Sequence, residues 1–497
     1  MGLMRFLITE RDRVEPLATE RVYLAGADGV PLPCQKRWES EHILQIQQEG
    51  NESGRLHLLW PVAGHGRVLL ATCRLMERAL PYHLTVELAR GALSRLRSQT
   101  AAWELAGLEP SASLREEIRQ AEATFIAAAT DQPDPDQAAR LAEETIHTSF
   151  SAAGELVHQY SQQTLAVRHQ PTSPLNTLLA VNPGVTRIPP HAEPMLAAAI
   201  NAAGLPLAWK TIQPAAEKFD WTLPDRQFRF CLQHDLKVIA GPLLRPDLEE
   251  LPDAVIGCCS TPERLEARVK KHLEAVVCRY RGRVHLWHGA TLGPMPGPLP
   301  LSDEQRLRLN VLMIDWTRRL DPRTPLMVSV SQPWGEYLID RPAELPPWQL
   351  VEMLIRAELG VAAIGLELNL GYWPAGSLPR GPLEINRLVD QWALLGLPLV
   401  PILTIPSSGG PDPRSSPRVG GPLVSAADSL PSLDWQKQGA QQLLPLLLAK
   451  QSVQAVIWNQ TFDSVPHRFA HGGLFDAQDR PKPALASLIT LRREHLH

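Results

Sequence analysis

The spacing of apolar and polar positions changes character twice along the chain. Over residues 1–80, short apolar runs are separated by Gly, Pro, Asn and Asp turns: Arg5-Phe-Leu-Ile-Thr, Arg21-Val-Tyr-Leu-Ala, His42-Ile-Leu-Gln-Ile-Gln, Gly54-Arg-Leu-His-Leu-Leu-Trp and Arg67-Val-Leu-Leu-Ala-Thr-Cys. Runs of this length and composition predict strands of a small β-sandwich. Over residues 81–172 the spacing becomes i, i+3, i+4 and predicts helices over 84–103, 113–128 and about 131–164. The last is announced by Asp131-Gln-Pro-Asp-Pro-Asp, which carries helix start signals. This stretch reads as a helical connector.

From residue 173 to the end the pattern alternates. Strand candidates are Leu178–Asn182, Leu205–Trp209, Leu236–Leu244, Val284–His288, Leu326–Ser331, Ala362–Leu370, Leu397–Thr404 and Val453–Asn459. Amphipathic segments at 262–281, 302–319, 347–358, 382–395 and 433–450 fall between them. Central parallel strands are apolar on both faces, as these are. Eight such β/α units predict an α/β fold, a (β/α)₈ barrel over residues 173–497. The Ser-, Gly- and Pro-rich segment from Ser407 to Ser432 then lies in the loop after strand seven, at the barrel mouth.

The last forty residues carry a more specific signal. Val453-Gln-Ala-Val-Ile-Trp458 is followed by Asp463, Gly473-Leu-Phe-Asp476 and Pro481-Lys-Pro-Ala-Leu485. Upstream stand Trp209-Lys-Thr-Ile-Gln-Pro214, Phe219-Asp-Trp221, Asp225 and Ala363-Ile-Gly-Leu-Glu367. In this order the motifs resemble glycoside hydrolase family 10, the xylanase-type barrels. The resemblance implies a (β/α)₈ barrel, a β-linked, xylan-type substrate and O-glycosyl hydrolysis by two glutamates. It places those glutamates at the ends of strands four and seven, where this chain reads Leu286-Trp-His288-Gly289-Ala290 and Pro401-Ile-Leu403-Thr404-Ile405. Both are missing. So are the sugar-contacting polar groups of strands two and three, where Gly204, Leu205, Ala208 and Gly241-Pro242 stand.

Two acids remain in suggestive places. Period-two alternation puts Gly365, Glu367 and Asn369 on one face of strand six, pointing into the barrel. Glu336 follows strand five in Ser331-Gln332-Pro-Trp334-Gly-Glu336. One reading pairs them across the mouth, with Glu367 as nucleophile or base and Glu336 as general acid. Retaining hydrolysis requires carboxylates about 5–5.5 Å apart and inverting hydrolysis about 6.5–9.5 Å. The other reading gives both acids structural hydrogen bonds. The barrel is then a carbohydrate-binding protein whose chemistry has been lost. Trp287, Trp334, Trp373 and Trp458 fall near strand ends, where indole faces suit sugar stacking. Gln332, His288 and Asn369 are further candidate sugar contacts, and Asp463 occupies the position of the family's strand-eight Asp.

Composition adds boundaries. A net charge of −4 provides no basic field for nucleic acid or an anionic membrane. No apolar run approaches the ~18 residues of a membrane span. The N-terminus has no secretory leader pattern, so a cytoplasmic protein is expected. Six cysteines, at 34, 73, 231, 258, 259 and 278, show no metal-site spacing and read as buried free thiols. His467 and His471 are four apart but lack a neighbouring acid, and no metal or cofactor is expected.

Overall fold

In a computed structural model of the protein, residues 2–9, 21–50, 52–170, 173–215, 218–245, 251–252, 255–256, 261–293, 301–341, 344–423 and 431–497 are described. Cys258 and Cys259 and part of the loop after strand seven lie outside them. The N-terminal runs form eight strands: β1 (Gly2–Leu7), β2 (Tyr23–Ala25), β3 (Pro31–Leu32), β4 (Gln35–Trp38), β5 (Ile43–Gln48), β6 (Arg55–Val62), β7 (Gly66–Ala71) and β8 (Tyr82–His83). They build two four-stranded sheets, in the orders β4-β5-β1-β8 and β3-β2-β6-β7. Met4, Phe6, Leu44, Ile46, Leu56, Leu58 and Trp60 fill the sandwich core. Leu84 and Leu88 from the first helix and Ile146 from the third join that core.

The connector helices span Leu84–Leu105, Ala112–Thr130 and Pro135–His169. Ser111 and Asp134 cap the second and third by accepting the backbone N–H three residues on.

Eight parallel strands then close a barrel: β9 (Leu178–Val181), β10 (Ala202–Leu205), β11 (Lys237–Ala240), β12 (Leu286–Leu292), β13 (Leu326–Val330), β14 (Ala363–Asn369), β15 (Leu399–Thr404) and β16 (Ala455–Trp458). β16 pairs back onto β9, from Ala455↔Leu178 to Trp458↔Val181. Strand three was expected over 236–244 but occupies only Lys237–Ala240, and two further expected strands differ in ways that bear on the mouth. Strand two was expected at 205–209 but occupies Ala202–Leu205, with a helical turn at Trp209–Ile212. Pro206 has no N–H for the ladder, so the strand stops before it. Strand four was expected to end at His288 but continues to Leu292, through an irregularity between His288 and Thr291.

Alternation divides the barrel residues cleanly. Leu205, Val238, Trp287, Val328, Leu366, Leu403, Val456 and Trp458 face the helices and pack into the largest core. Ala180, Ile239, Met327, Val400, Ile402 and Ile457 fill the barrel interior as an apolar plug. Above that plug, toward the C-terminal ends of the strands, the inward side chains become polar. Among the described residues no helix is long and apolar enough to cross a membrane. Of the four described cysteines, Cys231 is buried, Cys34 and Cys73 are half-buried, and Cys278 is exposed rather than buried as expected.

Sandwich and barrel meet on the far face of the second sheet. Tyr23, Leu59 and Leu69 pack there against Leu378, with Trp373 and Ile339 alongside. The Leu69 N–H donates to Pro379 O at 2.7 Å. An ion pair lies within this contact. Arg380 Nη1 is 2.8 Å from Glu336 Oε1, and the two side chains are 3% and 0% exposed. Glu336 also accepts the Leu378 N–H, while Arg380 donates to the Tyr23 hydroxyl at 3.1 Å. The Arg380 guanidinium lies 4.1 Å from the Trp334 ring centroid. Removing one partner strands the other charge away from water. Glu336→Gln is therefore expected to lower unfolding free energy by about 3–5 kcal/mol, read from urea denaturation. A loss within error of zero would show that the pair does not hold the junction.

Candidate functional site at the barrel mouth

The polar layer is organised around Glu367. Its side chain points inward from β14 and the residue is 2% exposed. Oε1 accepts from Thr291 Oγ1 on β12 and from Ser329 Oγ on β13, each at 3.3 Å. Oε2 accepts from Asn369 Nδ2 at 3.3 Å. Arg245, which follows β11, brings Nη1 to 3.8 Å from Oε1. A buried carboxylate is tolerated only with such donors and a counter-charge.

The network continues in both directions around the barrel. On one side Ser329 Oγ lies 2.8 Å from His288 Nε2 and 3.0 Å from Thr291 Oγ1. On the other, Asn369 Oδ1 accepts from Thr404 Oγ1 at 2.6 Å and from Asn459 Nδ2 at 3.1 Å. One hydrogen-bonded belt thus links the residues of strands four to eight. His288 is held neutral: burial pushes its pKa down to about 3, and the charge of Arg245 adds to that effect.

Glu367 and Asn369 are therefore together, as the alternation of β14 implied, and His288 of β12 joins them through Ser329. Glu336 stands elsewhere. It shares no hydrogen-bond partner with Glu367 among the described residues and is committed to Arg380 and Leu378. The reason lies in the turn after β13. Gly335 adopts φ +71° and starts a 3₁₀ turn over Glu336–Ile339, which turns the carboxylate toward the sandwich.

The tryptophans divide in the same way. Trp287 and Trp458 face the helices, fully buried; the first donates to Asp321 Oδ2 and the second to Gly472 O, each at 3.0 Å. Both fall on the outward phase of strands whose inward phase carries the belt. Trp334 and Trp373 are half-buried at the sandwich junction, beneath Arg380 and Arg21 respectively. Gln332 is buried and donates to Pro374 O. Asp463 pairs with buried Lys482 and accepts from Gln460 and the Gly473 N–H, tying the loop after β16 to the segment before the last helix.

Three groups had no signal in the sequence. Thr291 was missed because the strand was ended too early, and Arg245 because nothing local links it to position 367. The third is Asp412. It accepts from His467 Nε2 at 2.9 Å and from the His471 N–H at 3.0 Å, clamping the loop after β15 to the loop after β16. Burial raises the Asp412 pKa, but the His471 N–H and the His467 charge outweigh it and hold the carboxyl below its ordinary value. Among the described residues no group of three or more His, Cys, Asp or Glu side chains is placed to hold a metal.

The closed parallel barrel matches the expectation drawn from the C-terminal motifs. The chain resembles glycoside hydrolase family 10. Endo-1,4-beta-xylanase C of Paenibacillus barcinonensis is 30% identical over 106 residues, 20% of this chain. The chain spans about a tenth of the length of that relative. Among solved structures it is similar to xylanase 10B of Thermotoga maritima, at 16% identity over 67% of this chain and 97% of that one, with a TM-score of 0.47. A Thermobacillus composti GH10 xylanase aligns at 21% identity over 63% and 96%, with a TM-score of 0.45. No family model matches the chain.

The buried imidazole predicts an acid sensitivity. The folded-state pKa of His288 lies below the ordinary value of 6.5, so the unfolded chain takes up a proton that the folded chain refuses. Stability contributed by the neutral ring is complete above the unfolded value and is lost as pH falls toward about 3. The slope should be on the order of 1 kcal/mol per pH unit. His288→Gln is expected to flatten this limb in denaturant titrations between the two values. An unchanged slope would show that the ring is accessible to protons.

Proposed function

We propose that this protein binds a β-linked, xylan-type oligosaccharide at the C-terminal end of its barrel, with Glu367, Asn369 and His288 in the floor of the site, and that it does so without two-carboxylate hydrolysis. The observation that carries this reading is the separation of the two acids. Glu367 is the one carboxylate in the interior belt among the described residues, and Glu336 is taken up by Arg380. Retaining and inverting mechanisms both need two carboxyl groups flanking one bond. A lone buried carboxylate among hydroxyl, amide and neutral imidazole groups is instead suited to accepting and donating hydrogen bonds to sugar hydroxyls. The xylanase named among the relatives supports the choice of sugar.

The test is calorimetric titration of the full chain with xylobiose through xylohexaose, alongside assay of reducing-end release, for wild type and Glu367→Gln. Binding with no release is the expected result, and Glu367→Gln should weaken it by about tenfold, as for a hydrogen bond to a charged group. Release by wild type that is abolished in Glu367→Gln would overturn the binding-only reading in favour of O-glycosyl hydrolysis. Absence of binding to every oligomer would overturn the carbohydrate reading itself.

A further inference from the structure

A cleft opens where sandwich, connector and barrel meet. Its walls are His65 and Val68 of the sandwich, Phe150 of the third connector helix, Leu370 and Ile405, which follow β14 and β15, and one face of the helix Leu433–Ala449. Asn369 and Thr404 point into the barrel, so by alternation Leu370 and Ile405 point out of it, into the helix-side core. The cleft is therefore behind the barrel wall and separate from the mouth. Its volume is about 100 Å³. On a scale where one water needs about 10–15 Å³, it accepts several waters or one small ring, and not an extended chain.

The helix supplies the polar side of the cleft. Trp435, Gln438, Gly439, Gln442 and Leu443 recur at i, i+3, i+4, i+7 and i+8, which makes them one continuous face. Gly439 lets this face approach the barrel, since a Cβ there would come within 2.8 Å of Ile405 Cδ1. Gly154 on the connector leaves room for Gln442, whose Nε2 would lie 2.9 Å from a Cβ at 154. The side-chain amides of Gln438 and Gln442 have no hydrogen-bond partner among the described residues. Gln438 is exposed and Gln442 half-buried, so both are within reach of a ligand arriving from solvent.

The other walls are apolar. The Phe150 ring tilts against His65 at 4.8 Å, and Val68, Leu370, Pro379 and Ile405 add aliphatic surface. Arg380 is the one charged group in the lining, and Glu336 takes it up. Burial lowers the His65 pKa, with His147 adding to the effect, which favours the neutral ring. A charged ligand would find no free counter-charge here. A pyranose carries hydroxyls around its whole rim and would press several of them unpaired against the aliphatic walls. An aromatic ring needs apolar contact on its faces and polar partners only at its substituent. A mostly apolar cleft with a few polar groups on one side, at a junction between domains, has the character of a small-molecule site.

We propose that this cleft binds a small neutral aromatic compound bearing one hydroxyl or amide group, with its ring against Phe150 and Trp435 and its substituent on the Gln438 and Gln442 amides. Water in the cleft meets mainly apolar wall, so its displacement by the ring favours binding. The site does not depend on the carbohydrate reading of the mouth and stands if that reading fails.

The experiment is calorimetric titration of the full chain with phenol, benzamide and methyl β-xyloside, for wild type, Gln442→Met and Gln438→Met. Saturable one-to-one binding of phenol or benzamide is expected. Gln442→Met, which keeps the side-chain length, should weaken it about 3–10-fold, the range of a neutral hydrogen bond. Its unfolding midpoint should match wild type; if it falls, the exposed Gln438→Met provides the same readout. Absence of saturable binding by both aromatic compounds would overturn the proposal. Equal affinity in wild type and both variants would also overturn it, by placing the binding elsewhere. So would binding of methyl β-xyloside that Gln442→Met abolishes, which would make the cleft a sugar site.

Discussion

The burial of one negative charge inside the barrel sets the terms for the upper half of the structure. Glu367 is almost fully withdrawn from water, and the cost of desolvating an unmatched carboxylate is several kcal/mol. Its neighbours are arranged accordingly. Thr291 and Ser329 donate to one oxygen, Asn369 donates to the other, and Arg245 brings the counter-charge. Each donor is then oriented by a further partner, so the belt reaches Thr404 and Asn459. Below it the interior is apolar, with Met327, Val400, Ile402 and Ile457 packed against one another. The barrel is thus a solid plug with a polar surface at the end where sites of this fold are built.

Glu336 shows the same physics with a different result. It too is buried and fully satisfied, but its partners come from the loop after β14 and, through Arg380, from Tyr23 of the sandwich. Its charge is spent on joining two parts of the chain. The contrast between the glutamates is between one held inside the barrel by Thr291, Ser329, Asn369 and Arg245 and one held at the sandwich junction by Arg380 and Leu378. Two acids of similar apparent promise in the sequence therefore have different surroundings in the molecule.

The loops after β15 and β16 form a second organised region. Asp412 joins His467 and His471, Tyr372 donates to Ala470 O, and Asp463 with Lys482 anchors the chain beneath them. These contacts give the mouth a fixed wall on the side away from β12 and β13.

By itself the sequence determined the architecture: the change from short runs to helical spacing to an eightfold β/α alternation. It also determined that Glu367 and Asn369 point inward. Those features depend on periods of two and 3.6, which are local and are written in consecutive residues. The inward phase of Asn369 followed from Glu367 alone. Only the tertiary structure decided what each acid faces. The turn at Gly335 sends Glu336 toward Arg380, 44 residues away, and Tyr23, more than 300 residues away. Asp412 and His467 meet across 55 residues, and Arg245 reaches Glu367 across strands. Likewise Trp287 and Trp458 sit at strand ends in the sequence, but the barrel's closure puts their phase against the helices. Charge pairing and burial depend on which distant segments are brought together, and no local pattern records that.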